Sequence, residues 1–225
     1  IRRGETVVVI GRSGEGKLVL LKHIVRLLDP EQGQVWIDGQ EITSMGKRRL
    51  FEVRKRFGML FQGAALFDSL TIRENVGLGL KENGGLTDED IRGRAHICLS
   101  RVGLGKVGDK LPSELSGGMK KRAGLARAIA MQPDYILYDE PTTGLDPITS
   151  DAINDLILQL QADLQVTSIV VTHDMASAFK IADRIAMIST GRIIYAAGVD
   201  ETRDTDHPMV RQFIDGSAQG PLDVF

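Results

Sequence analysis

The feature that most constrains this chain is a glycine loop set between a strand and a helix. Thr6-Val7-Val8-Val9-Ile10 is a β-rich run, Gly11-Arg12-Ser13-Gly14-Glu15-Gly16-Lys17 follows without a gap, and Val19 to Leu28 then reads as a helix. Glycines let the backbone turn tightly so that several N–H groups point inward, the helix N-terminus adds partial positive charge, and Lys17 reaches toward terminal phosphates. A plain strand-to-helix turn uses the same residue types; the strand before and the helix after are what favour a phosphate cradle. The next position in such a loop is usually Ser or Thr, whose hydroxyl holds Mg²⁺, and here it is Leu18, which has no oxygen to give. The loop therefore predicts phosphate binding, while turnover lacks the hydroxyl that usually serves it. Because a buried-type strand opens at the sixth residue, we also expect a segment upstream of it.

Short β-rich runs recur at Val35-Trp36-Ile37, Phe57 to Phe61, Tyr135 to Tyr138, Ser168 to Val171 and Arg184 to Ile188, with helical stretches between them. That alternation predicts a layered α/β domain with a largely parallel sheet. Ser189-Thr190-Gly191 reads as a hairpin turn with Arg192 to Ala196 as the return strand, so the sheet is expected to be mixed. Between about Val76 and Met131 the pattern turns helical: Thr87-Asp88-Glu89-Asp90 is a capping box and Ser116 caps a second helix. The expected division is an α/β core over 1–75 and 132–215, an inserted helical subdomain over 76–131, and a tail over 216–225 in which Gly216 to Pro221 reads as a frayed end.

With 225 residues, 42% of them hydrophobic, the chain can bury a sizeable core, and 28 Lys+Arg against 30 Asp+Glu give no overall field for nucleic acid. Lys47-Arg48-Arg49 and Lys120-Lys121-Arg122 are read as solvated helix faces. The single cysteine, Cys98, excludes an internal disulfide framework. No apolar run approaches the roughly 18 residues of a membrane span, so membrane work is expected to pass through a partner.

Two further motifs carry chemistry. Ile136-Leu137-Tyr138-Asp139-Glu140 is an apolar strand ending in adjacent carboxylates, which can deliver Asp139 to a metal and Glu140 to an attacking water; a strand running into an acidic turn is the alternative. Leu115-Ser116-Gly117-Gly118-Met119 precedes a helical pattern from Lys120 to Met131, so Ser116 and the glycine N–H groups make a second anion site or an ordinary N-capped helix.

With the glycine loop, this string and the Asp-Glu strand in order, the chain resembles the ABC ATPases from Gly4 to about Gly198, and Leu115 to Met119 resembles their signature sequence. The resemblance implies a P-loop NTPase core with an inserted helical subdomain, ATP and Mg²⁺ as ligands, and two ATPs sandwiched in a head-to-tail dimer, a homodimer in the simplest case. It implies that Gly11, Arg12, Ser13, Gly14, Glu15, Gly16, Lys17 and Leu18 surround the phosphates, and that Asp139 and Gln62 meet the metal. Glu140, His173 and Gln62 are implied in hydrolysis, while Ser116, Gly117, Gly118 and Asp146 contact nucleotide held by the opposite subunit. Asp146 also reads as an N-cap with Pro147 at the first helical position. The chain departs from the family at Leu18 and in lacking the aromatic residue that stacks on adenine upstream of the loop.

Gly58 to Thr71, Leu115 to Arg122 and Tyr138 to Ile148 resemble the ATPases of Mla/Mce-type lipid transport. This implies phospholipid movement between envelope membranes, a pair of transmembrane permease subunits lodged near Gln62 to Asn75, an Mce-type lipid-binding protein, and a place on the cytoplasmic face of the bacterial inner membrane. A catalytically impaired regulatory module, or an importer ATPase for another substrate, are the competing readings.

Overall fold

The computed structural model describes residues 1–222. In chain order its elements are β1 (Thr6–Ile10), α1 (Lys17–Ile24), β2 (Trp36–Ile37), β3 (Gln40–Glu41), α2 (Lys47–Lys55), β4 (Phe57–Leu60), α3 (Ile72–Asn83), α4 (Asp88–Arg101) and α5 (Gly117–Ile129). They continue with β5 (Tyr135–Asp139), α6 (Pro147–Leu164), β6 (Thr167–Thr172), α7 (Met175–Ile181), β7 (Arg184–Ser189), β8 (Arg192–Gly198), α8 (Val199–Arg203) and α9 (Pro208–Asp215).

The main sheet runs β4-β5-β6-β1-β7-β8, parallel throughout except for the antiparallel β7–β8 hairpin. Its parallel strands are covered on both faces, which is why they read as unbroken apolar runs. Val8, Ile10, Ile136, Tyr138 and Val170 pack on one face with Leu125 of α5 and Ile153 and Ile157 of α6. Val7, Val9, Leu137, Ile169 and Val171 pack on the other with Leu21 of α1. The register sets Ile10 beside Thr172 and Asp139 beside Val171, so the loops after β1, β5 and β6 leave the sheet at a common edge. Ligands of open α/β sheets bind beyond that edge, at the carboxyl ends of the strands.

Several boundaries differ from those expected. α1 starts at Lys17 and stops at Ile24, because Arg26 adopts a left-handed φ of 51° and the N–H groups of Leu27 and Leu28 turn back to the Lys22 carbonyl. The Val35 to Ile37 run does not join the main sheet: Asp38 and Gly39, with φ of 48° and 74°, turn it into a separate hairpin with Gln40 and Glu41. Ile42, Leu50 and Val53 form a small core of their own beneath it.

The inserted helices start at Ile72, four residues before the helical pattern is legible, where Thr71 and Glu74 make a reciprocal capping box. Thr87 with Asp90 and Ser116 with Met119 cap α4 and α5 as expected. The tail is not frayed over its described part. Gln212, buried on α9, donates to the carbonyls of Ser217 (3.1 Å) and Leu222 (3.3 Å) and accepts from the Leu222 N–H (2.7 Å), which folds 216–222 back on the helix. Residues 223–225 of that expected tail lie outside the described residues. Among the described residues no helix is long and apolar enough to cross a membrane.

Candidate functional site

The glycine loop lies at the carboxyl edge of the sheet, and its glycines serve two different needs. Gly14 and Gly16 have φ of 87° and 96°, and a Cβ would meet nothing at Gly14 and only Ile188 Cδ1 at 4.0 Å at Gly16, so backbone conformation demands them there. Gly11 is demanded by contact, since a Cβ would lie 2.6 Å from the Ile188 carbonyl oxygen of β7. Gly16 ends the loop as the N-cap of α1 without a capping side chain, and the first turn of the helix lines a cavity of about 260 Å³. Ser13, Gly14, Gly16, Lys17, Leu18, Gln62, Asp139 and Glu140 meet around that cavity.

Lys17 is buried, and its ammonium donates to the carbonyls of Gly11 (2.6 Å) and Arg12 (3.0 Å) and lies 3.6 Å from Glu140 Oε1. Lys121, buried on the side of α5, donates to the Glu140 carbonyl at 2.9 Å. Two buried ammonium groups thus face two buried carboxylates, Asp139 and Glu140, and each offsets part of the cost of burying the others.

The two carboxylates are nevertheless set apart. Burial pushes the Asp139 carboxyl above the usual range, and a main-chain hydrogen bond from Gln62 pulls back only part of that. Burial pushes Glu140 upward too, but hydrogen bonding and charge from His173, a bond from Thr143 and the charge of Lys17 outweigh it and hold Glu140 below the usual range. Its Oε2 faces His173 Nδ1 at 2.9 Å, Thr143 Oγ1 at 3.0 Å, Thr172 Oγ1 at 3.3 Å and the His173 N–H at 3.4 Å. Glu140 also has a left-handed φ of 48°, a backbone state that the surrounding bonds must hold in place. An ionised carboxylate beside an imidazole, at the mouth of a phosphate cradle, is equipped to accept a proton from water.

Asp139→Asn removes a carboxylate that the fold holds in its less favoured state. A raised carboxyl pKa means that the folded chain prefers this group protonated, so stability is lost as pH rises through the folded-state value. The variant is therefore expected to be more stable than the parent at pH 8 without nucleotide or metal, with the gap vanishing below the ordinary value of 3.8. Urea unfolding at both pH values measures it, and a gap unchanged with pH would contradict this reading.

A divalent cation finds oxygen donors in Asp139 and Gln62, while Leu18 lines the same cavity with carbon only. Among the described residues no group of three or more His, Cys, Asp or Glu stands ready to hold a metal by itself. That set fits Mg²⁺ as a phosphate-bound ion, since Mg²⁺ commonly uses one or two carboxylates and completes its shell with phosphates and water.

A larger cleft of about 620 Å³ adjoins this cavity, lined by Arg12, Ser13, Gln62, Glu140 and His173 on one side. Its other wall comes from Gln212, Phe213, Ser217 and Leu222 of the C-terminal segment. No motif marks those residues; they reach the site only because α9 and the loop after it fold back over the sheet edge. Ser116, Gly117, Gly118 and Asp146 line neither space. A Cβ on Gly118 would lie 2.7 Å from Thr149 Cγ2, and Asp146 caps α6 through the Thr149 N–H, so the signature string and Asp146 make a second patch beside α6.

Glycine loops and paired carboxylates at one sheet edge serve many nucleotide hydrolases, and the class is narrowed by an insertion that starts a helix from Leu115-Ser116-Gly117-Gly118-Met119. The chain belongs to the ABC transporter family, whose model matches residues 1–143. The intermembrane phospholipid transport system ATP-binding protein MlaF of Haemophilus influenzae is 42% identical over 99% of this chain and 84% of its own length. The probable ribonucleotide transport ATP-binding protein mkl of Mycobacterium leprae is 39% identical over 99% of this chain and 64% of its own. Among solved structures, the dimeric ATP-binding cassette MJ0796 in a post-hydrolysis state, bound to ADP and Pi, matches with a TM-score of 0.81 and 34% identity, covering 88% of this chain and 87% of that one. The chain is thus an ATP-binding subunit of the ABC class.

Proposed function

We propose that the chain powers phospholipid movement between the envelope membranes, as a pair of identical copies closing on two ATPs at the cytoplasmic face of the bacterial inner membrane. The permease pair docks near residues 62–75, and an Mce-type protein carries the lipid beyond it. The observation that carries the ATPase part is the ionised Glu140 between His173 and Lys17 at the mouth of the glycine loop. The lipid part is supported by the likeness to MlaF over nearly the whole chain.

In this reading the loop amides of 13–17 and the start of α1 bind the β- and γ-phosphates, and Lys17 leaves the Gly11 and Arg12 carbonyls to meet the terminal charge. Glu140 takes a proton from the water that attacks the γ-phosphorus, His173 holds the Glu140 carboxylate in place, and Gln62 closes the side of the cavity. Asp139 and Gln62 would hold Mg²⁺, whose chemistry is to neutralise charge on the phosphates. The patch of Ser116, Gly117, Gly118 and Asp146 faces nucleotide bound by the second copy, which accounts for its distance from the loop within one chain. Leu18 supports a second reading, in which the chain binds nucleotide but turns it over slowly and acts mainly by assembly.

The test is reconstitution with the permease pair and the Mce-type protein in liposomes carrying a fluorescent phospholipid. MgATP is expected to drive lipid transfer, and the same complex with Glu140→Gln to give none. ATP-driven ribonucleotide uptake without lipid transfer would overturn the lipid assignment and leave the ATPase assignment standing.

A further inference from the structure

The segment after β4, which carries Gln62, is held in an unusual way. Ala64 and Ala65 are consecutive non-glycine residues in the left-handed region, with φ of 60° and 47°. Such residues are disfavoured singly and more so in succession, so something outside the segment must hold them. The holder is Arg127 of α5, whose guanidinium forks onto their two carbonyls, Nη2 to Ala64 O and Nη1 to Ala65 O, each at 2.6 Å. Among the described residues no carboxylate pairs with Arg127, and burial depresses the basicity of its guanidinium. Its half-buried charge is therefore answered by backbone carbonyls, which fixes the head group to this loop rather than to a counter-ion.

The packing around the fork is equally close. A Cβ on Gly124, one turn before Arg127, would lie 2.7 Å from Leu60 Cδ1 and 3.3 Å from the Ala64 Cβ, and one on Gly58 of β4 would lie 2.3 Å from the Ala128 carbonyl oxygen. The far end of the segment is tied by Asn75 of α3, fully buried, which accepts from the Phe67 N–H (2.7 Å) and donates to the carbonyls of Phe67, Leu70 and Thr71 (3.0 Å each). Residues 64–71 are thus fastened at both ends to the inserted helices.

We infer that Arg127 is a positioning residue that makes the Gln62 segment and the helix carrying Ser116, Gly117 and Gly118 move as one body. Arg127 stands ten residues along α5 from Gly117, about 15 Å away on one rigid helix. Docking of that helix start onto nucleotide in a second copy therefore sets where Gln62 lies against Asp139. This rests on the two-copy reading above.

The experiment compares the parent with Arg127→Lys, which keeps the charge but cannot fork, and Arg127→Ala, in the complex with the permease and in parent and Leu18→Thr backgrounds. Three quantities are read: affinity for a fluorescent ATP analogue, kcat for ATP, and backbone hydrogen exchange over 62–71. Arg127→Lys is expected to bind the analogue within about twofold of the parent, to lose at least about tenfold in kcat, and to exchange at least about tenfold faster over 62–71 with the glycine loop unchanged. Parent-like kcat, or kcat and affinity falling together with melting temperature, would overturn the inference. If no background hydrolyses ATP, the proposed function has failed separately and exchange decides alone: faster exchange confined to 62–71 upholds the clamp, and unchanged or global change removes it.

Discussion

Glu140→Gln is expected to lower ATP hydrolysis by about 10²–10⁴-fold while ATP stays bound, the range associated with losing a positioned general base. The side chain is poised to accept that proton, because His173, Thr143, Thr172 and Lys17 surround it, and the bonds and charge of His173, Thr143 and Lys17 hold it below the usual carboxylate range despite burial. Glutamine keeps the shape and an oxygen for Thr143 and Thr172 but cannot take a proton. It also removes the anion 3.6 Å from Lys17, which frees that ammonium for phosphate, so nucleotide affinity should hold or rise. Single-turnover phosphate release and a fluorescent-nucleotide titration read the two quantities separately. A rate within tenfold of the parent would remove Glu140 from the role proposed for it.

Leu18→Thr is expected to act in the opposite direction. Leu18 lines the cavity shared by Lys17, Gln62 and Asp139 and brings no oxygen to it. A threonine at that position supplies a hydroxyl at the second residue of α1, next to Lys17 and across from Asp139. Losing even an outer-shell partner of a bound metal costs about 10–100-fold in affinity, so restoring a direct ligand should raise Mg²⁺ affinity in the presence of ATP by at least about tenfold. Turnover at limiting Mg²⁺ should rise with it. Equal Mg²⁺ dependence in the two proteins would mean that the hydroxyl is dispensable here.

Much of the frame is legible in the sequence because it is local. A β-rich run that leads into glycines and then a helix specifies its own turn, and the Thr87–Asp90, Ser116 and Asp146 caps name the residues at which helices begin. The parallel direction of most strands also follows from alternation, since parallel neighbours need crossovers. What is not legible depends on partners distant in sequence. Nothing near Arg127 marks it for the Ala64 and Ala65 carbonyls, 63 and 62 residues away. Nothing near Gln212 and Phe213 marks them as the wall of a cleft opposite Glu140 and His173. The Gly216 to Pro221 stretch has the composition of a loose end, yet Gln212 binds the Ser217 carbonyl within it and both backbone groups of Leu222 just beyond it, and Leu222 buries beside α9, so tertiary contact overrides composition. The Val35 to Ile37 run fails differently: its strand character is real, but Asp38-Gly39 closes it on itself before the main sheet can use it.

If nucleotide is closed between the glycine loop of one copy and the Ser116 patch of another, ATP must draw two copies together. Light scattering of the Glu140→Gln chain with and without ATP tests this without depending on turnover or on Leu18. The mass is expected to double on adding ATP. Adding Ser116→Asp, which keeps the helix cap but sets a negative charge at the second anion site, is expected to abolish the doubling while one copy still binds ATP. A Glu140→Gln chain that binds ATP yet stays a single copy at every concentration, or a Ser116→Asp variant that pairs as readily as its parent, would contradict closure between two copies.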